Sequence, residues 1–106
     1  MEDPREHGTQ PLDTLMESWG ITNHQLVNSS TEQLNHKQVQ RARKGRQLTL
    51  PMMQKVCRAF NISIWNSLDK EQKEIYFEYM HRHLFSYAKG HESEWVDPNV
   101  DLFPKK

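Results

Sequence analysis

The apolar residues of this chain recur at the three- and four-residue spacing of an α-helix, and no stretch alternates as a β-strand does. This pattern predicts an all-α fold of five helices. The first helix spans about residues 9–19 and ends at Gly20. Its apolar face consists of Leu12, Leu15, Met16 and Trp19. A second, short helix begins after the cap residue Thr22, across which Ile21 and Leu26 can pack.

The third predicted helix, over residues 35–44, is short and basic. Asn35 suits its N-cap, because the side-chain oxygen can accept from a backbone N–H of the first turn. Val39 and Ala42 lie three positions apart and share one face, which we expect to be buried. Gly45 can adopt the left-handed conformation in which helices commonly end.

The rest of the chain predicts two further helices and a tail. Thr49 caps a fourth helix, and Asn61 is expected to end it. Asp69 opens a fifth, long helix over 69–90, whose aromatic residues cover more than one face. That helix is expected to pack on the domain formed by residues 9–68, and its second apolar face can at the same time pair with a second copy. Residues 1–8 are expected to be a mobile terminus. Residues 91–106 are expected to be an extended tail that docks on the helices.

Composition indicates one small cytoplasmic domain. Of the 106 residues, 35% are hydrophobic, which supports only a small core. No apolar run approaches the roughly 18–20 residues of a membrane span, and the acidic, polar start does not resemble a signal peptide. The single cysteine, Cys57, lies in an apolar helical pattern, and we interpret it as a core residue.

The net charge of zero conceals an uneven distribution. Residues 1–32 contain one basic and six acidic residues, whereas residues 33–68 contain seven basic residues and no acidic one. The seven are Lys37, Arg41, Arg43, Lys44, Arg46, Lys55 and Arg58. Such a segment in a neutral protein predicts a local site for a polyanion. The alternative is a solvated helix face, which a run of charges commonly forms.

Catalytic and metal chemistry are not indicated. His81 and His83 point about 200° apart on a helix, so with Glu78 they do not converge on a metal ion. No nucleophile–base pattern, carboxylate pair or glycine-rich phosphate loop is visible. We therefore expect no enzymatic activity, cofactor, metal or small-molecule ligand.

Residues 22–64 resemble the lambda-repressor/Cro-like helix-turn-helix domain. The stretches TNHQLV, LNHKQVQRARKGR and TLPMMQKVCRAFNIS carry the resemblance. In that family the helix that corresponds to TNHQLV packs across the DNA backbone, and the helix that corresponds to LNHKQVQRARKGR enters the major groove. This chain departs from the family in having a turn about two residues longer, Val27 where a small residue is usual, and Arg43 where an acidic residue is common.

The resemblance implies a role for each polar residue of the motif. The base-reading positions are His36, Lys37, Gln38, Gln40 and Arg41. The expected phosphate contacts are Asn23, Arg43, Lys44, Arg46, Lys55 and Arg58. Leu34 takes the place of the apolar residue that plugs the turn into the core.

The sequence thus predicts a regulator of transcription that binds double-stranded DNA sequence-specifically, with repression as its expected output. It would insert helix 35–44 into the major groove and pair as a homodimer through residues 69–90. The alternative is a protein-interaction module in which the same fold and basic face meet an acidic partner, such as a toxin or another regulator. Competition by duplex DNA distinguishes the two.

Overall fold

The computed structural model describes residues 7–104, and within them the chain forms six α-helices and no β-strand. The helices are α1 (Pro11–Trp19), α2 (Asn23–Ser29), α3 (His36–Lys44), α4 (Leu50–Ser67), α5 (Lys70–Ile75) and α6 (His81–Leu84), and a 3-10 turn follows at Val100–Leu102. The all-α expectation is confirmed for this part of the chain. Residues 1–6 of the terminus expected to be mobile lie outside the described residues. None of the described helices is long and apolar enough to cross a membrane.

Helices α2, α3 and α4 begin where local side chains satisfy their free backbone groups, whereas no side chain caps α1, which follows Gln10 and has a proline in its first turn. Thr22 caps α2, and Asn35 and Gln38 form a capping box at the start of α3. Gly20 and Gly45 follow α1 and α3 with φ values of 68° and 98°, which glycine adopts at little cost. These caps confirm the predicted starts of α2, α3 and α4, the last of which is capped by Thr49.

The core lies where the apolar faces of the helices meet. The helix α2 packs against α3 and α4, while α1 packs against α3 and α6. Val39 and Ala42 of α3 are fully buried, as predicted. The other apolar side chains with no exposed surface are Leu12, Met16, Leu26, Val56, Phe60, Ile64, Leu84 and Phe85. The orientation of α3 is therefore fixed by its apolar face.

The prediction that Asn61 ends α4 is wrong, because the helix continues to Ser67. Asn61 is buried, and its amide group donates to the carbonyl oxygen of Tyr79 at 2.8 Å. Its side-chain oxygen accepts from the backbone N–H of Tyr79 at 2.9 Å and from the hydroxyl of Tyr76. This asparagine holds a remote segment of the chain instead of capping its own helix.

The prediction of one long helix over 69–90 is also wrong. Asp69 caps α5 as expected, but α5 ends at Ile75 and α6 begins only at His81. The intervening residues 76–80 are not helical, and they separate two short helices that replace the single predicted one.

Two remote asparagines account for this break. The Asn61 side chain makes hydrogen bonds to both the N–H and the carbonyl oxygen of Tyr79. In the same way, the Asn99 side chain accepts from the N–H of Phe77 at 2.9 Å and donates to its carbonyl oxygen at 2.7 Å. The segment also consists largely of aromatic residues, which favour an extended backbone over a helix. The backbone groups of Phe77 and Tyr79 are therefore satisfied without helical hydrogen bonds.

The tail lies against the helices. The Trp95 ring stacks on His83 at 4.2 Å between centroids, and Phe103 meets the Trp19 ring edge-on at 5.1 Å. The hydroxyl of Tyr79 donates to Asp97 at 2.6 Å and accepts from the indole N–H of Trp19 at 3.0 Å. Residues 91–104 thereby cover the side of the core formed by α1 and the extended segment.

Candidate nucleic-acid interface

The exposed side of α3 is a continuous polar arc. At 100° per residue its side chains span about 140° of the helix surface, opposite the buried Val39 and Ala42. The members of this arc are His36, Lys37, Gln40, Arg41 and Lys44, all of them exposed. The structure thus brings together four of the five residues predicted to read bases.

The cations of this arc are available to a ligand. Within residues 7–104 the side chains of Lys37, Arg41 and Lys44 make no hydrogen bond or ion pair. The rise of 1.5 Å per residue places the first and last of them about 10 Å apart along the helix axis. Three positive charges therefore face solvent along one side of a short, capped helix.

Gln38, the fifth predicted base-reading residue, lies at the border of the arc and is half-buried. Its side-chain oxygen accepts from the backbone N–H of Asn35 at 3.0 Å in the capping box, which leaves its amide group as a donor. An open cleft of about 280 Å³ lies beside it and is lined by Arg41, Arg46 and Thr49 among others.

The side chain of Arg43 contacts two other helices, unlike the exposed cations of the arc. Its Nε donates to the Asp13 carboxylate at 2.5 Å, and its Nη1 donates to the Asn23 side-chain oxygen at 2.7 Å. Two residues predicted to bind phosphate, Arg43 and Asn23, are therefore bonded to each other, and they join α3 to α1 and α2. Only the amide group of Asn23 is left as a donor for a ligand.

Lys55 and Arg58 contact the turn between α2 and α3. Lys55 donates to the carbonyl oxygen of Gln33 at 2.6 Å, and Arg58 makes two hydrogen bonds to the Glu32 carboxylate, at 2.9 and 2.7 Å. The hydrogen bond from Arg58 lowers the pKa of Glu32. These two predicted phosphate contacts thus hold the turn that is longer than usual in the family resembled.

The loop after α3 is held by residues that the sequence did not single out. The backbone N–H of His7 donates to the carbonyl oxygen of Gly45 at 2.8 Å, and the His7 ring stacks on Tyr87. The Tyr87 hydroxyl donates to the Arg46 carbonyl oxygen and accepts from the Leu48 N–H. No local pattern marks these contacts, since the hydrogen bonds join segments about 40 residues apart in the chain and the stacked rings of His7 and Tyr87 lie twice as far apart.

Two histidines extend the polar surface from α3 onto α2. The rings of His24 and His36 lie 5.8 Å apart between centroids with an interplanar angle of 19°, and both side chains are exposed. Asn28 hydrogen-bonds the ring of His24 at 3.0 Å. The polar surface thus continues across the junction of the two helices.

Among the described residues, no group of three or more histidine, cysteine, aspartate or glutamate side chains is placed to hold a metal ion. No family model matches the chain, and no curated protein or solved structure matches it either. The geometry and charge of α3 are therefore the grounds for a functional proposal.

Proposed function

We propose that the protein binds double-stranded DNA sequence-specifically as a regulator of transcription and inserts α3 into the major groove. The observation that supports this most directly is the division of the basic residues. Lys37, Arg41 and Lys44 are exposed on one arc without partners in the described part of the chain, whereas Arg43 and Arg58 are paired with carboxylates. Cations that remain free on one face suit phosphates and base edges.

In this proposal the arc reads bases and its ends contact the backbone. His36, Lys37, Gln40 and Arg41 face base edges, with the amide of Gln38 at the border. The phosphate contacts are Asn23, Lys44 and Arg46. The three remaining basic residues, Arg43, Lys55 and Arg58, position α3 and its turn through the contacts described above. Phosphate contacts would supply much of the affinity and base contacts the specificity.

The proposal includes a second copy of the chain, because regulators of this kind commonly place two recognition helices in half-sites about 34 Å apart. The single helix over 69–90 that was expected to pair does not form. The proposed dimer surface is therefore the exposed apolar surface around the non-helical residues 76–80. Ile75, Phe77 and Met80 are 69%, 48% and 47% exposed there. Occupation of such a site would exclude other proteins from the DNA and so repress transcription.

Binding of a labelled duplex, followed by fluorescence anisotropy over a range of salt concentrations, tests the proposal. Combined replacement of Lys37, Arg41 and Lys44 by alanine should weaken binding at least about tenfold and reduce the salt dependence. The matched control removes three exposed cations elsewhere, Lys70, Arg82 and Lys89, for the same change in net charge. Equal losses in both variants would contradict a DNA site on α3. Displacement by an acidic polypeptide but not by duplex DNA would favour the protein-interaction alternative.

A further inference from the structure

A second candidate site lies in a cleft between the C-terminal half of α4 and the extended residues 76–80. Its volume is about 280 Å³, and it is lined by Asn61, Ile62, Trp65, Tyr76 and Glu78. No residue of α3 lines this cleft, so it is separate from the proposed DNA-binding arc.

Two aromatic rings form one wall of the cleft. The rings of Trp65 and Tyr76 lie 6.2 Å apart between centroids and are tilted by 56°. The Tyr76 hydroxyl donates to the side-chain oxygen of Asn61, which holds that ring in place. Trp65 is 44% exposed, an unusual state for the largest apolar side chain. The cleft thus offers a positioned pair of aromatic surfaces to a ligand.

The Trp65 ring and the Glu78 carboxylate favour a cation in the cleft. The Lys73 ammonium lies 5.4 Å from the centroid of the Trp65 ring, within the range of a cation–π contact, so this ring already attracts a positive charge of the chain itself. Glu78 is exposed and makes no side-chain hydrogen bond or ion pair with any residue of the 7–104 range. A ligand in the cleft would therefore meet π-electron density and a carboxylate together.

We propose that this cleft binds a methylated ammonium group. Its methyl groups would pack on Trp65, Tyr76 and Ile62, and its charge would be balanced by Glu78. A primary ammonium needs hydrogen-bond acceptors for three N–H donors, and the cleft wall is mainly aromatic and aliphatic. A methylated ammonium has no such requirement and is attracted to aromatic faces. The group could belong to a free small molecule or to a methylated lysine of another protein.

Choline is the first probe, and nuclear magnetic resonance of the full chain is the measurement. Choline should shift the indole N–H signal of Trp65 saturably, while those of Trp19 and Trp95 move less. The matched control is 3,3-dimethylbutan-1-ol, which has the same shape with a carbon in place of the charged nitrogen. An acetylated, amidated trimethyl-lysine in parallel distinguishes the two sources, because a protein-directed site should prefer it to choline.

Two variants make the test decisive. Glu78→Gln keeps the shape of the side chain and removes its charge, and Trp65→Leu keeps an apolar group and removes the ring. Each should weaken choline binding at least about fivefold, the size of a typical cation–π or exposed charge contact. Because Trp65→Leu lacks the indole, binding to that variant is followed through the backbone amide signals of Tyr76 and Glu78, which line the cleft. Glu74→Gln, an exposed carboxylate that does not line the cleft, should leave binding unchanged. An equal response to the neutral alcohol, no response of Trp65, or unchanged binding in Glu78→Gln would overturn the proposal.

Discussion

Arg43 donates to Asp13 at 2.5 Å and so joins the most basic helix of the chain to α1. The side chains of both residues are largely covered, with 21% and 26% of their surface exposed. Lys44, the next residue, is exposed and has no side-chain partner within the described range. Two adjacent basic residues thus have different surroundings, and we expect them to have different functions.

Replacing each of these two residues by alanine should separate stability from DNA binding. Arg43→Ala should lower the free energy of unfolding by roughly 1 to 2 kcal/mol, because it leaves Asp13 without its partner. Lys44→Ala should change stability by less than about 0.5 kcal/mol but lower the salt slope of DNA binding by about one. Urea denaturation and anisotropy titrations measure both quantities. The assignment is wrong if Arg43→Ala reduces the salt slope while stability stays at the wild-type value.

Asn61→Ala should destabilise the protein strongly. The substitution leaves the buried N–H of Tyr79 without its acceptor and removes one of the donors to the Tyr79 carbonyl oxygen, at a cost of about 3 kcal/mol. Asn66→Ala is the control, since Asn66 is exposed on the same helix. Chemical denaturation of both variants measures the difference. Similar small losses in the two would show that Asn61 does not hold the extended segment.

The helix caps and the break after Ile75 show which parts of the fold could be predicted from the sequence. Helix starts at Thr22, Asn35 and Asp69 depend on a side chain within three residues of the free backbone group, and they were predicted correctly. The break after Ile75 depends on Asn61 and Asn99, about 20 residues away in the chain, so no local pattern could reveal it.

In the candidate site, too, the features set by local sequence were predicted, and those set by remote contacts were not. The exposed arc of α3 follows from the buried positions of Val39 and Ala42, which helical periodicity gives directly. The internal partners of Arg43 and Arg58 depend on how α1, α3 and α4 are placed in space. Basic composition alone therefore overstated the number of residues free to bind phosphate.

Stability should fall in mildly acidic solution because of His83. Burial lowers the pKa of this imidazole below its usual 6.5, and the positive charge of nearby Arg82 lowers it further. The folded state therefore favours the neutral ring. Its Nδ1 accepts from the Met80 N–H at 3.0 Å, and protonation would prevent that bond. The stabilisation from neutral His83 is complete above about pH 6.5 and declines as the pH falls toward the lowered folded-state pKa.

Urea denaturation of wild type and His83→Phe, between about pH 5 and pH 7.5, measures this contribution. Phenylalanine can still stack on Trp95 but does not titrate, so the variant should lose less stability on acidification than the wild type. The other five histidines are common to both proteins and cancel in the comparison. The same pH dependence in both would show that His83 does not contribute.

Selection of bound sequences from a random pool of duplex DNA tests the proposed function most directly, with wild type and Arg41→Lys compared at one fixed salt concentration. The wild type should enrich a defined sequence motif. Arginine's planar fork matches the two major-groove acceptors of guanine, whereas lysine offers only a point charge. Arg41→Lys should therefore retain non-specific affinity and lose about 1–3 kcal/mol of discrimination at one guanine position. Recovery of the pool without any enrichment by the wild type would contradict sequence-specific binding through α3.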